Sequence, residues 1–591
     1  MKCLILLLFL PFSIFAQEKP QNSEPLRKGK ITGRILGDDG QPLDGASVNI
    51  GSTNNKDSRG WQPIFTDEEG NFVADELNAG SYTLFASSPG FVMPDFSPEV
   101  KYYHLGETVT LSLVKGGVIT GRVTNQLGEA VVAAPIHVTR IRDAEGRKVK
   151  ENGWYGGQNR KTDDRGNYRM YGLPAGKYLV FAGGKSGYDW GPPNSFHGKA
   201  STYYPSASRE NASEVTVNTD EEITGINIRF RGDAGYSISG KVTGGTDATS
   251  SSAISIDLQG LPTRSPIGVS FIYPNDTSRA FSLHGIADGE YQVIANHNEG
   301  WGQNQKNSYR SAPRKITVKG GNISGIVLNL LPLSSVEGKI ELAETSEKNR
   351  PECKSSRASL PEEIVATLRR ETIGKDLESN PDSWISNDAP NEKGEIRYMN
   401  LEAARYRVTA NFPDETWYIK SATIKSASPP ATSKVAAPQT SPAQIDVGKS
   451  GINLSSGEKI KDLLISLTDG AANVKGRIIT DPNKILPSRM RTYLIPAEKE
   501  SAEDLLRYYE VKTKNGAFTF ENLAPGKYLI IARPIPETEA DEMPATPGAW
   551  DAASRLILRR EAEGAGNLLE LNSCQRVNDY SLKFSQAFKK N

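Results

Sequence analysis

Two residue types are scarce in this 591-residue chain, and net charge is absent. There are three cysteines and five histidines. A disulfide framework is excluded, and little is left for a zinc or thiol centre. Lys+Arg and Asp+Glu both number 70, so the formal net charge is zero. Nothing in that balance draws the chain toward nucleic acid or anionic lipid. Beyond the first sixteen residues no run approaches the ~18 apolar residues that a membrane helix needs. The sequence is therefore expected to have no transmembrane segment once a signal is removed. Glycine (55) and proline (35) are plentiful, which favours short strands and tight turns over helical bundles.

The N-terminus reads as an address. Lys2 precedes the apolar run Cys3–Ala16, and Phe15-Ala16 before Gln17 is a cleavage point. Residues 1–16 are expected to be a signal peptide, with the mature chain secreted, periplasmic or on the cell surface. Cys3 stands at the start of this run, not at its end, and so is not an acylation site. Cys353 and Cys574 remain. An oxidising compartment would permit one bridge between them, but the favoured expectation is two unpaired thiols, since spacing alone cannot establish the approach that a bridge needs.

Internal repeats organise the rest. The first signature is apolar–x–Gly–basic–Ile/Val. It occurs as Ile31–Ile35, Ile119–Val123, Ile238–Val242, Val336–Ile340 and Val474–Ile478. Its alternation describes a strand with one buried face, and its glycine a bulge or a close backbone approach. A second signature, Leu-x-x-Gly-x-Tyr, follows 49 to 68 residues later, measured from Gly33 to Tyr82 and from Gly338 to Tyr406. Its tyrosines are Tyr82, Tyr178, Tyr291, Tyr406 and Tyr528. This is the sequence form of a tyrosine corner, in which the hydroxyl bonds backbone upstream. The fourth copy has Ala404 where the turn favours glycine, so strain or another turn type is expected there. A third signature, such as Thr66-Asp67-x-x-Gly70 or Thr162-Asp163-x-x-Gly166, is a hairpin turn.

The expected fold is all-β, a tandem array of about five Ig-like or prealbumin-like β-sandwich domains. Unit 1 spans 28–114, unit 2 115–232, unit 3 233–332, unit 4 333–469 and unit 5 470–586. Residues 426–444, rich in Ala, Pro and Ser, are expected to be a disordered insert in unit 4. Together the three signatures resemble the carboxypeptidase regulatory-like domain family. These are transthyretin- or prealbumin-like sandwiches grouped with carbohydrate-binding-like folds. Thr202-Tyr-Tyr-Pro205 and Trp417–Ser421 further resemble segments of secreted bacterial multi-repeat proteins that carry such units. The resemblance implies non-catalytic accessory or adhesion modules.

Catalytic patterns are few. His104-Leu-Gly-Glu107 matches half of a zinc-peptidase motif, but it lies in the lead-in to a closing strand, with no third ligand evident. No nucleophile elbow or phosphate loop occurs. Asp67, Asp163 and Asp164 read as Asx-turn residues before calcium ligands. No catalytic residue, metal or cofactor is expected, and the chain is not read as an enzyme. Binding falls instead to aromatics in polar, turn-rich segments. Trp154, Tyr155, Trp190, Tyr203 and Tyr204 gather in unit 2, and Trp61 and Trp301 lie in units 1 and 3. Such rings suit polysaccharide or cell-surface glycan, covering the C–H face of a pyranose while polar neighbours bond its hydroxyls. The competing reading makes these rings caps and seam fillers. The array would then be a spacer or adhesion rod contacting a surface protein, or an accessory to a peptidase or outer-membrane receptor.

Overall fold

The computed structural model describes residues 27–53, 62–94, 100–144, 146, 161–184, 195–196, 198–245, 252–261, 264–300, 307–343, 360–371, 385–425, 444–481, 485–513, 515–535 and 548–584. Five large hydrophobic clusters occupy successive stretches of chain, centred on residues 31–113, 119–230, 238–330, 336–467 and 472–582. The architecture is a series of β-sandwiches.

One plan recurs. The opening strand sits in the middle of its sheet, between an antiparallel hairpin partner and a parallel closing strand. In unit 1, Lys28–Leu36 lies between Asn71–Asn78 and Thr108–Ser112. In unit 4, Ser334–Ala343 lies between Glu395–Leu401 and Lys459–Asp469. In unit 5, Ala472–Ile479 lies between Ala517–Leu523 and Arg576–Lys583. The strand that follows the corner is internal in the second layer of units 2, 4 and 5, as Gly176–Ala182, Ala404–Asn411 and Gly526–Pro534, whereas in unit 1 Tyr82–Ser87 ends its three-stranded sheet. Unit 3 departs from two separate layers. Its eight strands form one continuous sheet, because Ser308–Ser311 pairs with both Gly289–Asn298 and Ile323–Pro332.

The repeated glycine follows from the parallel closing strand. A Cβ on Gly121 would lie 2.0 Å from the Ile226 carbonyl oxygen, and one on Gly240 2.0 Å from that of Ile326. The same clash arises at Gly33 with Val109, Gly338 with Leu463 and Gly476 with Tyr580. In units 3, 4 and 5 the parallel register slips at this glycine. The bulge brings the closing strand's carbonyl into the space that any side chain would fill.

The five tyrosines behave alike. Each hydroxyl donates to the carbonyl four residues upstream: Tyr82 to Asn78 at 2.6 Å, Tyr178 to Pro174 at 2.6 Å, Tyr291 to Ala287 at 2.9 Å, Tyr406 to Glu402 at 3.0 Å and Tyr528 to Ala524 at 2.6 Å. The rings are buried, so each hydroxyl needs a partner of this kind. Ala404 has no positive φ; the fourth corner carries none of the expected strain.

The third signature is satisfied from within. The Asp67 carboxylate accepts from the Asn71 backbone N–H at 2.7 Å, and that of Asp163 from Asn167 at 2.7 Å and Arg165 at 2.9 Å. These backbone donors hold the Asp163 carboxyl below the usual range. Among the described residues no cluster of three metal-ligating side chains occurs.

Two elements depart from expectation. Helix Ala552–Ala565 packs Leu558 and Ala562 on the outer face of unit 5's second sheet, against Tyr493, Ile495, Leu529 and Ile531. The Asp551 side chain caps its N-terminus through the Ser554 N–H at 2.7 Å, and Gly566 ends it at φ 68. Cys574, in the turn before the last closing strand, is buried and disulfide-bonded, not an unpaired thiol. Burial in that turn fixes its position, which the spacing of cysteines in the sequence does not reveal. The chain's other cysteines, Cys3 and Cys353, lie outside the described residues. So do the signal segment and most of the insert, although Gln444 begins the strand Gln444–Asp446.

Two outcomes test this description. Gly240→Ala should destabilise unit 3 by about 2–4 kcal/mol, read as a lower urea midpoint. Gly268→Ala, on a strand of the same unit with open space around its Cα, should move it little. In unit 4, burial pushes the Asp388 carboxyl up to about 6. The proton is held more tightly in the folded state, so the associated stability is complete below the unfolded pKa of about 4 and is lost as pH rises through 6. Asp388→Asn should therefore raise the unit 4 melting temperature at pH 8, recovering about 2–3 kcal/mol, with little change at pH 4.

Candidate binding site

The sequence-level candidates divide sharply. Trp61, Trp154, Tyr155, Trp190 and Trp301 lie outside the described residues. Tyr203 is buried on the strand Thr202–Tyr203, its ring 4.7 Å from that of Phe181, which in turn lies 4.9 Å from His137. Tyr203 also borders unit 3, beside Arg209, His284 and Tyr291. It fills a seam and presents no free ring face. Tyr204 is half-buried against the core of unit 2 and precedes the cis bond to Pro205. Of the seven tryptophans, Trp417 and Trp550 are described, and both are buried. The Trp550 ring, in unit 5, lies under the Arg369 guanidinium of unit 4 at 5.1 Å, a cation–π contact across a junction.

A concavity lies where unit 1 meets unit 2. Val114–Lys115, which joins them, pairs antiparallel with Phe91–Val92 of unit 1, and the Gly116 N–H bonds the Gly90 carbonyl at 2.8 Å. The two units are thus stitched by backbone, not tethered. Above this stitch is a cleft of about 350 Å³ lined by Gly90, Phe91, Lys115, Arg169, Tyr171 and Asp220. Gly90 and Gly116 also line it, and a Cβ on Gly116 would lie 2.7 Å from the Gly172 backbone.

Charge in the cleft is balanced. Lys115 Nζ lies 3.2 Å from Asp220 Oδ2, and Arg169 Nη2 lies 3.0 Å from Glu222 Oε2. The Arg169 guanidinium also sits 5.8 Å from the centre of the Tyr171 ring. These exposed pairs contribute little to stability. Their donors and acceptors remain within reach of a ligand, beside two aromatic rings. Two cations against two carboxylates give no net attraction for a phosphate or a polyanion. Sequence reasoning missed this site. Its residues come from separate strands of two units, and no motif joins Phe91 to Tyr171.

Comparison with known proteins identifies the first unit. Residues 30–101 match the carboxypeptidase regulatory-like domain family. Unit 1 is thus similar to a carboxypeptidase regulatory-like domain over those residues. The cleft therefore lies between the unit that carries this match and the sandwich after it. No curated protein matches the chain. Among solved structures, it is similar to the TIE protein of Bacillus anthracis at 16% identity and a TM-score of 0.14, over 51% of each chain. It thus spans about half the length of that protein. The minor pilin GBS52 of Streptococcus agalactiae is similar at 15% identity and a TM-score of 0.18, over 34% of this chain and 96% of the pilin. The major pilin BcpA of Bacillus cereus is similar at 9% identity and a TM-score of 0.14, over 51% of this chain and 99% of the pilin. Scores this low carry no functional argument. Among the described residues no helix is long and apolar enough to cross a membrane.

Tyr171 and Tyr203 separate displayed rings from packed ones. Tyr203→Ala should cost unit 2 about 3 kcal/mol, seen as an earlier melting transition. Tyr171→Ala should leave that transition within about 0.5 kcal/mol.

Proposed function

We propose that this chain is a non-catalytic binding array that holds a neutral glycan. One site is the cleft between units 1 and 2, with Tyr171 and Phe91 as platforms. Lys115, Arg169, Asp220 and Glu222 serve as donors and acceptors for sugar hydroxyls. The observation that carries this reading is an aromatic, charge-balanced cleft on a backbone-stitched junction. Its neutrality favours an uncharged polysaccharide over an acidic one. Trp154, Tyr155 and Trp190 of unit 2, with Tyr204, Trp61 and Trp301, extend the proposal as further sugar-facing rings. The division at 114/115, 232/233, 332/333 and 469/470 belongs to the same proposal, as does export by residues 1–16 to the cell surface or periplasm.

A second reading is favoured by the junctions themselves. Only Leu333 separates the closing strand Ile323–Pro332 from the opening strand Ser334–Ala343. Glu402 of unit 4 faces Arg310 of unit 3 at 3.5 Å. Junctions this short suit a spacer or adhesion rod whose partner is a surface protein.

The test is a panel of neutral and acidic polysaccharides offered to the mature chain, with calorimetry and tryptophan fluorescence as readouts. The glycan reading expects saturable binding of a neutral polymer. Affinity should fall at least about tenfold in Tyr171→Ala, with melting unchanged. Trp154→Ala and Trp190→Ala should weaken it further. No binding across the panel, or binding indifferent to Tyr171→Ala, contradicts the proposed site and leaves the spacer reading.

A further inference from the structure

The outer face of unit 1's second sheet carries a line of aromatic rings. That sheet runs, in spatial order, Ile64–Phe65, Ser47–Ser52 and Tyr82–Ser87. Its inner face enters the core through Val48, Leu84 and Ala86. Alternation turns the residues between these outward. There the sheet displays Phe65 and Phe85, 63% and 43% exposed. Beyond Tyr82–Ser87 the sheet is extended by a bridge, in which Tyr82 and Tyr103 exchange backbone hydrogen bonds at 2.9 and 2.8 Å. Tyr103 joins Tyr82 in the core. Tyr102 therefore falls on the outer face beside Thr83, half-buried.

Register places the rings on one diagonal. Phe65 stands opposite Ser47, and Phe85 opposite Asn49. Two strand spacings across and two residues along separate Phe65 from Phe85, about 12 Å. One strand spacing and two residues separate Phe85 from Tyr102, about 8 Å. The strip is about 20 Å from end to end, longer than one sugar ring. Hydroxyls and an amide stand beside it. Ser47 Oγ lies 3.4 Å from Ser87 Oγ, Asn49 Nδ2 3.5 Å from Ser47 Oγ, and Thr83 Oγ1 3.4 Å from the Gly51 carbonyl. Bonds this long are weak and exchange readily for bonds to a ligand's hydroxyls. Among the described residues no charged side chain lies on this face of the three strands.

The other units treat the equivalent position differently. The third residue after the corner tyrosine, Phe85 here, is Phe181, Ile294, Thr409 and Ile531 in units 2 to 5. Tyr203 packs on Phe181, the helix Ala552–Ala565 covers Ile531, and Ile294 is buried. Unit 4 has a polar threonine there, exposed. Unit 1 alone combines an apolar ring at this position with exposure. Aromatic surface left in water forgoes the gain of burial, and a contiguous patch of it marks a binding surface.

We propose that this face is a second glycan site, a flat strip on which one neutral, unbranched polysaccharide chain lies across Phe65, Phe85 and Tyr102. Each ring covers the C–H face of a sugar, while Ser47, Asn49, Thr83 and Ser87 bond hydroxyls at its edge. The uncharged face matches an uncharged polymer and offers an acidic one no counter-charge. The strip rests on the neutral-glycan reading for its class of ligand. It uses none of the cleft's residues, so either site can exist without the other.

The test is affinity electrophoresis of the full mature chain in gels cast with hydroxyethylcellulose, glucomannan or amylose, with polygalacturonate as the acidic control. Tyr171→Ala removes the cleft's platform and serves as the background. In it a neutral polymer should still retard the chain. Adding Phe65→Ala should weaken that affinity at least about tenfold with the melting temperature unchanged, and Phe65→Tyr should retain it. Oligosaccharides of the retarding polymer should gain affinity with length beyond the disaccharide, until they span the strip. Retardation that Tyr171→Ala alone abolishes would overturn the strip and leave the cleft standing. Retardation indifferent to Phe65→Ala and Phe85→Ala would overturn it too. No retardation by any neutral polymer would overturn both sites. A dimer in sedimentation that Phe65→Ala dissociates would assign the face to a second copy of the chain, against the proposal.

Discussion

A carbonyl oxygen occupying the place of a Cβ is the constraint on which each unit depends. The closing strand returns parallel to the opening strand, with a register slip in units 3, 4 and 5, and at the point of closest approach only glycine fits. Gly33, Gly121, Gly240, Gly338 and Gly476 all meet that carbonyl. A parallel first-to-last pairing ties the two ends of every unit together, so the sandwich is closed in sequence as well as in space. Non-local pairing of this kind is entropically demanding. The corner tyrosine supports it from the second layer, with a buried ring and a hydroxyl bonded four residues back.

Closure of each unit leads to the way units join. Where first and last strands lie side by side, the chain leaves one unit close to where the next begins. Junctions are therefore short, and adjacent units share contacts. Units 1 and 2 share a backbone stitch, units 3 and 4 the Arg310–Glu402 pair, and units 4 and 5 the bonds from Asn522 Nδ2 to the carbonyls of Asp414 and Trp417, both at 2.8 Å. The cleft that we propose for glycan is a product of such a seam, and the contacts of Ser81 and His104 with the Glu363 carbonyl join two units that are not chain neighbours. Neither exists within an isolated unit.

The sandwich repeats were legible in the sequence because their signatures carry backbone physics: a glycine at the bulge, a tyrosine at the corner, an aspartate at the hairpin turn. The helix Ala552–Ala565 was legible too and was missed. Asp551, Gly566 and the spacing of Leu558 and Ala562 mark it, but they stand inside a unit otherwise read as strands. The binding surfaces were far less legible. Phe91 and Tyr171 sit in different units, with no local pattern to join them. Tyr203 reads as a loop aromatic beside Pro205, yet packing on Phe181 buries it. His104 was weighed as a metal ligand because Glu107 stands three residues on; its further partner, the Glu363 carbonyl, lies 259 residues away. Local chemistry is written locally, whereas seams depend on how whole units come to rest on each other.

The central claim is that every unit is held by its parallel opening and closing strands. Amide hydrogen exchange on the full chain, resolved by unit, tests it most directly. The account predicts the slowest-exchanging amides of each unit along opening strands such as Lys28–Leu36, Tyr236–Gly244 and Ser334–Ala343, and along the closing strands beside them. Protection concentrated instead in outer strands such as Ile64–Phe65 or Ile385–Asp388, with the opening strands exchanging early, would contradict it.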